Sequence, residues 1–470
     1  MIIGRKYEIE LLQRMKRSKK AELIILYGRR RVGKSFLLEQ ITQNGSAFYF
    51  EAIKGLSLQD QITHFLSQIE KKINKRIPSA KTWQEAFDIF SDFLLKGNHV
   101  VVFDEFPWMC SEKKELVAIL KFYWDRKWKK NSGLKLILCG SVANFMIKHL
   151  VHSEALHNRK TLEIHLDPLP SNEAIEFFKG KRSLFEITKF LMIFGGIPKY
   201  LEQIDPNESL ENNLDRLSFT KHGFFISEFE TIFKEQFKTI RRYEKIVELL
   251  SRNKLSKEEL QHETNSGRGG SFSTSLHQLE MAGFIIKEPS LSFGDQAIKT
   301  RTIRYILSDE WLRFYFRYIK KNLTVIKKQT ALGLSSKILG KSFSNYLGLT
   351  FELFCKKNIS QVLKYLNIEP TSVIEIGPYF KQGSRLREEN GVQIDLCLKR
   401  KGHILTIIEC KFSEKKVGVE IISEIEEKIK NMKIPHSFSV EKVLISANGI
   451  SLELEERDYF HKVMTIEDFY

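Results

Sequence analysis

One stretch near the start of the chain restricts its fold more than any other feature. Residues 28–35 read GRRRVGKS, which is the G-x-x-x-x-G-K-S pattern of a phosphate-binding P-loop, or Walker A motif. An apolar run at 21–27 (AELIILY) reads as a buried parallel strand, and 36–41 (FLLEQI) continues as a helix. Strand, glycine loop and helix occur in the order that the motif requires, so the sequence predicts a P-loop fold.

The loop predicts specific contacts with a nucleotide. Gly28 and Gly33 allow a tight turn whose backbone N–H groups face phosphate oxygens, and the helix dipole adds positive charge. Lys34 is expected to reach the β- and γ-phosphates, and the Ser35 hydroxyl to bind Mg²⁺. We therefore predict that ATP and Mg²⁺ are the cofactors. The remaining predicted nucleotide contacts within this stretch are Arg29, Arg30, Arg31, Val32 and Phe36.

A second motif supports this interpretation. Residues 100–105 (VVVFDE) are an apolar strand that ends in two carboxylates, which is the Walker B form. Asp104 is expected to hold the magnesium, directly or through water, and Glu105 to act as the general base on the attacking water. An acidic pair at a strand end is common by itself, so the motif is specific only beside the P-loop.

Strand and helix patterns alternate through the first third of the chain, which predicts a parallel sheet with helices on both faces. The strand at 134–139 (LKLILC) leads to Ser141, which is either a sensor of the γ-phosphate or a helix N-cap. Arg159 is either an arginine finger or phosphate sensor, or a solvated surface residue.

The composition favours a polyanionic partner. The chain has 470 residues with a net charge of +17, from 75 Lys plus Arg against 58 Asp plus Glu. Nucleic acid is the first expectation, an anionic membrane surface the second, and a solvated lysine-rich surface the plain alternative. The five cysteines form no C-x-x-C pair, and no apolar run approaches the roughly 18 residues of a membrane helix. We expect a cytoplasmic protein without a membrane segment.

The middle of the chain predicts a helical region and then a small DNA-binding unit. Helical patterns fill 168–238, with a break at Gly195-Gly196-Ile197-Pro198. Helices at 241–250, 256–262 and 271–281 precede a hairpin at 284–287 and 302–307, which outlines a winged helix. Such modules also serve for protein interaction or packing. In the third helix, the residues expected to reach DNA are Ser271, Ser273, Thr274 and His277, after a flexible basic turn at 267–270.

A carboxylate and lysine pattern marks the C-terminal part. Residues 391–398 and 404–411 read as two strands of a hairpin, with a turn between them. If the loop is 400–402, Asp395 lies opposite Ile407 and shares a face with Glu409 and Lys411. Two carboxylates and a lysine suit metal-dependent phosphodiester cleavage, with Asp395 and Glu409 on the metal. Glu352 could add a third carboxylate from the helix at 346–357. A salt-bridged hairpin is the equally weighted alternative.

Together these motifs resemble the prokaryotic P-loop ATPases of the AAA/STAND group that carry a C-terminal domain formerly of unknown function. The resemblance rests on IGRKYEIELL, GRRRVGKS, VVVFDEFPW, LILCGS, GGIPKYL and FE…QIDL…IECK, and covers nearly the whole chain. It implies a PD-(D/E)xK nuclease-like domain in which Glu352, Asp395, Glu409 and Lys411 match the motif. EALHNRKT departs from the Gly-Arg-Arg type sequence of relatives, although Arg159 itself is present.

The predicted fold class is a multidomain α/β protein with five regions. They are a P-loop ATPase core at 1–167, a helical lid at 168–238, a winged helix at 239–310, a helical connector at 311–341, and a restriction-endonuclease-like domain at 342–470. The predicted function is an ATP-hydrolysing, DNA-associated protein with a metal-dependent nuclease-like domain, in DNA processing or defence. The alternative is a nucleotide-switched regulator with an inert last domain. A homo-oligomer or a protein partner is a further expectation.

Overall fold

The computed structural model describes residues 3–42, 47–111, 115–141, 143–237, 240–266, 270–293, 303–381, 391–432 and 434–470. The chain divides into two compact units. Unit 1 comprises Met1–Leu169 with Ile197–Lys199, and unit 2 comprises Pro170–Gly196 with Tyr200–Tyr470. The finer boundaries within unit 2 remain predictions.

Unit 1 contains the expected parallel sheet. Its strand order is β2-β3-β4-β1-β5, and all neighbouring strands are parallel. The central strands are almost entirely buried and are rich in Val, Ile and Leu, as is typical of strands covered on both faces. The strands are β1 Glu22–Tyr27, β2 Phe48–Glu51, β3 His99–Asp104, β4 Leu134–Gly140 and β5 Leu162–His165.

Helices cover both faces of this sheet. One core is rich in aromatic rings from the helices that follow β2, while the other packs the first two helices against alternate residues of β1, β3 and β4. Ser57 and Thr82 cap two of these helices by accepting backbone N–H bonds. The helices are α1 Lys6–Arg17, α2 Lys34–Thr42, α3 Leu58–Ile73, α4 Trp83–Leu94, α5 Phe106–Met109, α6 Glu115–Arg126 and α7 Ala143–Met146.

Unit 2 begins with helices, as the sequence predicts. The first of its long helices, α9, is followed by Gly195, whose φ of 66° is a backbone conformation that residues with a side chain rarely adopt. The helices of this region are α8 Ser171–Ala174, α9 Leu184–Phe194, α11 Leu210–Ser218 and α12 Glu228–Gln236, while α10 Pro198–Leu201 begins in the part of the chain assigned to unit 1 and ends in unit 2.

Three further helices and a two-stranded antiparallel sheet follow. Ser256 and Glu259 form a capping box at the second helix, because each side chain binds the backbone N–H of the other. The elements are α13 Ile240–Leu250, α14 Lys257–Glu263, α15 Gly270–Met281, β6 Ile285–Pro289 and β7 Ile303–Leu307. Of the predicted basic turn, residues 267–269 lie outside the described residues.

The aromatic stretch at 309–318 (DEWLRFYFRY) packs in the core of unit 2. Trp311, Phe314 and Phe316 are fully buried, and the helix continues as a π-helical turn over Tyr315–Ile319. The helices are α16 Glu310–Phe314, α17 Leu323–Ile326 and α18 Ser335–Leu339.

The C-terminal part of unit 2 contains a mixed five-stranded sheet, in the order β12-β11-β10-β9-β8. Strands β8, β9 and β10 are antiparallel neighbours, whereas β10, β11 and β12 run parallel. The elements are α19 Ser342–Lys357, α20 Ile359–Tyr365, β8 Val373–Lys381, β9 Val392–Arg400, β10 Ile404–Lys411, α21 Glu420–Met432, β11 Ser439–Ser446, α22 Leu452–Glu456 and β12 Lys462–Met464.

The register of the β9–β10 hairpin differs from the prediction. The predicted loop of 400–402 is wrong, because Arg400 pairs with Ile404 and the loop is 401–403. Gly402 and His403 both have positive φ, which places the tight turn one residue later. Ile407 therefore pairs with Cys397 instead of Asp395.

No helix among the residues that the structure describes is long and apolar enough to cross a bilayer.

Candidate functional site

The P-loop joins β1 to α2 in the predicted position. A Cβ at Gly28 would lie 2.4 Å from the carbonyl oxygen of Leu166, so only glycine fits there. Gly33 has a φ of 96°, and Arg31 has a φ of 71°, which is rare for a residue with a side chain. The tight turn that the phosphate cradle requires therefore needs glycine at both motif positions and holds Arg31 in a strained conformation.

Lys34 is enclosed by this loop. Its ammonium donates to the carbonyls of Gly28 and Arg29, each at 2.9 Å. Burial lowers the pKa of Lys34, and the charges of Glu105 and Asp104 oppose that shift. A buried cation is thus held beside the two carboxylates of the second motif.

Asp104 lies at the end of β3, beside the P-loop. Ser35 donates from Oγ to Oδ2 of Asp104 at 3.4 Å, and the Glu105 backbone N–H donates to Oδ1 at 2.9 Å. The Tyr49 hydroxyl donates to Oδ2 at 2.5 Å. Burial and the neighbouring carboxylate raise the pKa of Tyr49, so the phenol stays a donor. The structure brings together the predicted Ser35 and Asp104, and it adds Tyr49.

Glu105 has an unusual backbone conformation and a fixed side chain. Its φ is 50° and its ψ is 43°, at the turn between β3 and α5. The Ser141 hydroxyl lies 2.7 and 2.8 Å from its two carboxylate oxygens, and the Ser141 N–H donates to Oε2 at 3.2 Å. Ser141 follows β4, the neighbour of β3, so the strand order explains the contact.

The other predicted nucleotide contacts surround the loop. Val32 is buried, and its carbonyl accepts from Arg5 at 2.9 Å. The Arg30 guanidinium lies 5.3 Å from the centre of the Trp108 ring, the Arg31 carbonyl accepts from the Lys199 N–H at 3.4 Å, and Phe36 is partly exposed.

Arg159 is engaged elsewhere. Its guanidinium forms a bidentate pair with Asp125 on α6, in which Nε donates to Oδ1 at 2.9 Å and Nη2 donates to Oδ2 at 2.8 Å. This contact lowers the pKa of Asp125 to about 2. In the structure Arg159 therefore forms a partly exposed ion pair with helix α6, and its predicted role at the nucleotide stays a prediction.

A second polar cluster lies on the C-terminal sheet. Ile408 pairs with Leu396, so the next residues, Glu409 and Asp395, stand level on the same face. The prediction that they share a face with Lys411 is confirmed, although by a register different from the expected one. Lys411 Nζ lies 3.4 Å from Glu409 Oε1 and 2.8 Å from Glu424.

The two carboxylates are buried and affect each other. Burial and the charge of Glu352 raise the pKa of Asp395 to about 6, against the opposing effect of nearby lysines. Burial and the charge of Asp395 raise the pKa of Glu409. Both pKa values are raised because each carboxylate loses hydration on burial and the neighbouring cations replace that hydration only in part.

Lysines from other elements approach this cluster. Lys428 on α21 lies 2.6 Å from Glu409 Oε1, which makes it a closer partner than Lys411. Glu352 is paired with Lys254 at 3.5 Å and acts on Asp395 through its charge.

The cluster offers two carboxylates to a divalent cation. Glu409 Oε2 is buried and accepts no hydrogen bond from the described residues, and Asp395 stands level with Glu409 on the same face of the sheet. These two carboxylates fit one cation. In the described ranges, no group of three or more His, Cys, Asp or Glu side chains is arranged to hold a metal ion.

Sequence reasoning did not identify Tyr49, Arg5 or Lys428. Tyr49 lies on β2, which pairs with β3, but strand order is not written in the sequence. Arg5 belongs to the opening IGRKYE segment, whose contact with the P-loop depends on a turn at φ 63°. Lys428 reaches Glu409 from a helix 19 residues later in the chain.

Comparison with known proteins identifies the first domain. Residues 3–204 match a family described as an ATPase domain predominantly from Archaea. This part of the chain is a P-loop ATPase domain. Residues 315–425 match a family of archaeal and bacterial proteins of unknown function.

Individual relatives and structures were also found. An uncharacterized protein of Methanocaldococcus jannaschii is 26% identical over 390 residues, which cover 82% of this chain and 83% of that protein. An uncharacterized ATP-binding protein of the same organism is 52% identical over 44 residues, or 9% of this chain and 75% of that protein. The Walker-type ATPase of Pyrococcus abyssi has a TM-score of 0.49 and 19% identity, covering 67% of this chain and 96% of its own. The ORC2 protein of Aeropyrum pernix has a TM-score of 0.42 and 13% identity, covering 70% and 94%.

Proposed function

We propose that the N-terminal domain hydrolyses ATP with Mg²⁺ through the residues assembled at the P-loop. The observation that carries the proposal is the meeting of Lys34, Ser35, Asp104 and Glu105 at the carboxyl ends of β1 and β3. Ligands of open α/β sheets bind at this edge.

Each residue has a role that its position supports. Lys34 would exchange the two loop carbonyls for phosphate oxygens, which accept the same hydrogen bonds. Ser35 and Asp104 supply adjacent oxygens that suit Mg²⁺, whose charge would offset that of the phosphates. Glu105 would accept the proton of the attacking water, while Ser141 fixes the direction of its carboxylate.

Two substitutions test this proposal. Lys34→Ala should abolish ATP binding measured by calorimetry, and Glu105→Gln should keep binding but lower kcat by at least about 100-fold. Glu115→Gln, an exposed position on α6, is the matched control for loss of a carboxylate. Unchanged ATP affinity in Lys34→Ala would refute the assignment.

We further propose that the C-terminal domain is nuclease-like and acts on DNA. Glu409 Oε2 is buried and has no hydrogen-bond partner in the described part of the chain, which supports a divalent cation there that would polarise a phosphodiester. Lys411 would balance phosphate charge, and Glu352 would act through Asp395.

DNA association is proposed from the net charge of +17 and from the helices α13–α15 with the strands β6 and β7. We interpret these elements as a winged helix, in whose third helix Ser271, Thr274 and His277 are exposed.

One observation favours the alternative, in which the last domain is inert and ATP controls a regulator. Lys428 and Lys411 already lie close to Glu409, so the site is partly neutralised by the chain itself. Nicking of supercoiled plasmid with Mn²⁺ decides between the two. Wild type should nick it, and Asp395→Ala and Lys411→Ala should not. Absence of nicking in wild type, with ATP hydrolysis intact, would support the regulator.

A further inference from the structure

A basic cleft lies at the amino ends of the parallel strands in unit 1, on the edge of the sheet opposite the P-loop. It is bounded by the end of α1 and by the residues that lead into β3 and β4. Its volume is about 520 Å³. That is within the range of roughly 300–1,000 Å³ in which small-molecule ligands bind.

The lining of the cleft is cationic. Four positive side chains line it, from Lys16, Arg17, Lys19 and Lys135, and His99 adds an imidazole ring. Among the residues that the structure describes, no carboxylate lines the cleft. Glu22, buried beside Lys135, is the acidic group that acts on it. The helix dipole explains basic residues in the last turn of α1, but Lys19 and Lys135 lie outside that turn.

The hydrogen-bonding capacity of these cations is not used up. Lys135 is only 4% exposed, and its ammonium donates to the carbonyls of Lys20 and Ser132. An ammonium has three donors, so one remains without an acceptor in the described part of the chain. Within the same ranges, Arg17 and Lys19 have no ion pair or side-chain hydrogen bond, whereas Lys16 donates to the Ile41 carbonyl at 2.9 Å.

We propose that this cleft is a second phosphate-binding site, which takes the phosphate groups of a free polyphosphate or of a nucleic-acid backbone. An anion would relieve the repulsion between the gathered cations. The anion would accept a hydrogen bond from the remaining N–H of the Lys135 ammonium. It would also accept hydrogen bonds from the planar guanidinium of Arg17, whose geometry matches that of phosphate oxygens. The cleft shares no residue with either proposed centre, so it can be tested separately from ATP hydrolysis and DNA cleavage.

Tripolyphosphate binding to the full-length Lys34→Ala protein tests the proposal without competition from the P-loop. Arg17→Ala/Lys19→Ala should weaken the affinity measured by calorimetry at low salt by about tenfold or more. The matched control is Lys71→Ala/Lys75→Ala, which removes the same charge from exposed positions at the end of α3. The control should change the affinity by less than about twofold. Equal losses in the two variants, or no binding of tripolyphosphate, would overturn the proposal.

A single-stranded oligonucleotide distinguishes the two sources of phosphate. If the backbone is the ligand, the Arg17→Ala/Lys19→Ala variant should show a slope of log affinity against log salt that is smaller by about 1.4. An unchanged slope, with tripolyphosphate affinity lost, would assign the cleft to free polyphosphate. If the wild-type protein binds no DNA at all, the proposed DNA association is wrong. The tripolyphosphate result still determines whether the cleft binds phosphate.

Discussion

The Ser141 hydroxyl lies 2.7 Å from Oε1 and 2.8 Å from Oε2 of Glu105, so one side chain contacts both oxygens of the proposed general base. The Glu105 backbone is itself in the left-handed region, with a φ of 50°. Strained backbone at a polar strand end is typical of functional sites. The direction of the Glu105 carboxylate is therefore fixed by its own backbone conformation and by Ser141, which follows the neighbouring strand.

We predict that Ser141→Ala lowers kcat for ATP hydrolysis by about tenfold while ATP affinity changes less than about twofold. The variant loses the hydroxyl that fixes Glu105, but it keeps the Lys34 and Ser35 contacts. Steady-state kinetics measures kcat and KM separately. Calorimetry measures the ATP affinity, with Ser141→Ala introduced into the Glu105→Gln protein. Ser141→Thr should restore most of the rate. A rise in kcat would instead mean that Ser141 restrains Glu105.

Tyr49→Phe should raise the Mg²⁺ concentration for half-maximal ATPase activity several-fold, by about 3- to 10-fold. The phenol donates to Asp104 Oδ2 and orients the carboxylate that is proposed to hold Mg²⁺. Tyr123→Phe is the matched control, because its hydroxyl binds the Gln84 carbonyl, away from the P-loop. Identical Mg²⁺ dependence in wild type and Tyr49→Phe would remove Tyr49 from the site.

The P-loop and its partner carboxylates were predictable because the information is local. Glycine spacing, an apolar strand and a following helix together define the loop, and Asp104 and Glu105 end a strand of the same sheet. Tyr49 and Ser141 became neighbours of these carboxylates through strand order. The alternation of strands and helices along the chain is compatible with several strand orders. The sequence alone therefore could not predict which strands are neighbours in the sheet.

The C-terminal site illustrates the same limit. Alternation along β9 and β10 predicted the shared face correctly, because a shift of two residues preserves which side chains point together. The loop itself was misplaced, since any of several residues in KRKGH could occupy the turn. Lys428 could not be foreseen, because its contact with Glu409 depends on how α21 packs across the sheet.

Arg159→Ala should lower the free energy of unfolding of unit 1 by less than about 1 kcal/mol and leave kcat within about twofold. The reason is its bidentate contact with Asp125, a partly exposed pair. Denaturant unfolding and ATPase assays measure the two effects. A loss of kcat by about 100-fold or more would restore the arginine-finger interpretation, for example in a homo-oligomer.

The same pair predicts a dependence on pH. The pKa of Asp125 is lowered to about 2 in the folded chain. Its stabilising effect is therefore complete above the unfolded pKa of about 3.9 and is lost as the pH falls through 2. The coupling between Asp125→Asn and Arg159→Ala, from a double-mutant cycle, should be equal at pH 7 and pH 5 and smaller at pH 3. Coupling that already vanishes at pH 5 would contradict this assignment.

Asp395→Asn should weaken Mn²⁺ binding, measured by calorimetry without nucleotide, by at least about tenfold. The variant keeps the size of the side chain but removes one of the two buried carboxylates that face each other across β9 and β10. Glu424→Gln is the matched control, because Glu424 is a half-exposed carboxylate on α21 that pairs with Lys411 and is not one of the two buried carboxylates of β9 and β10. It should bind Mn²⁺ as tightly as wild type. If Asp395→Asn binds Mn²⁺ unchanged, or if Glu424→Gln loses binding to the same extent, the two buried carboxylates do not form the metal site.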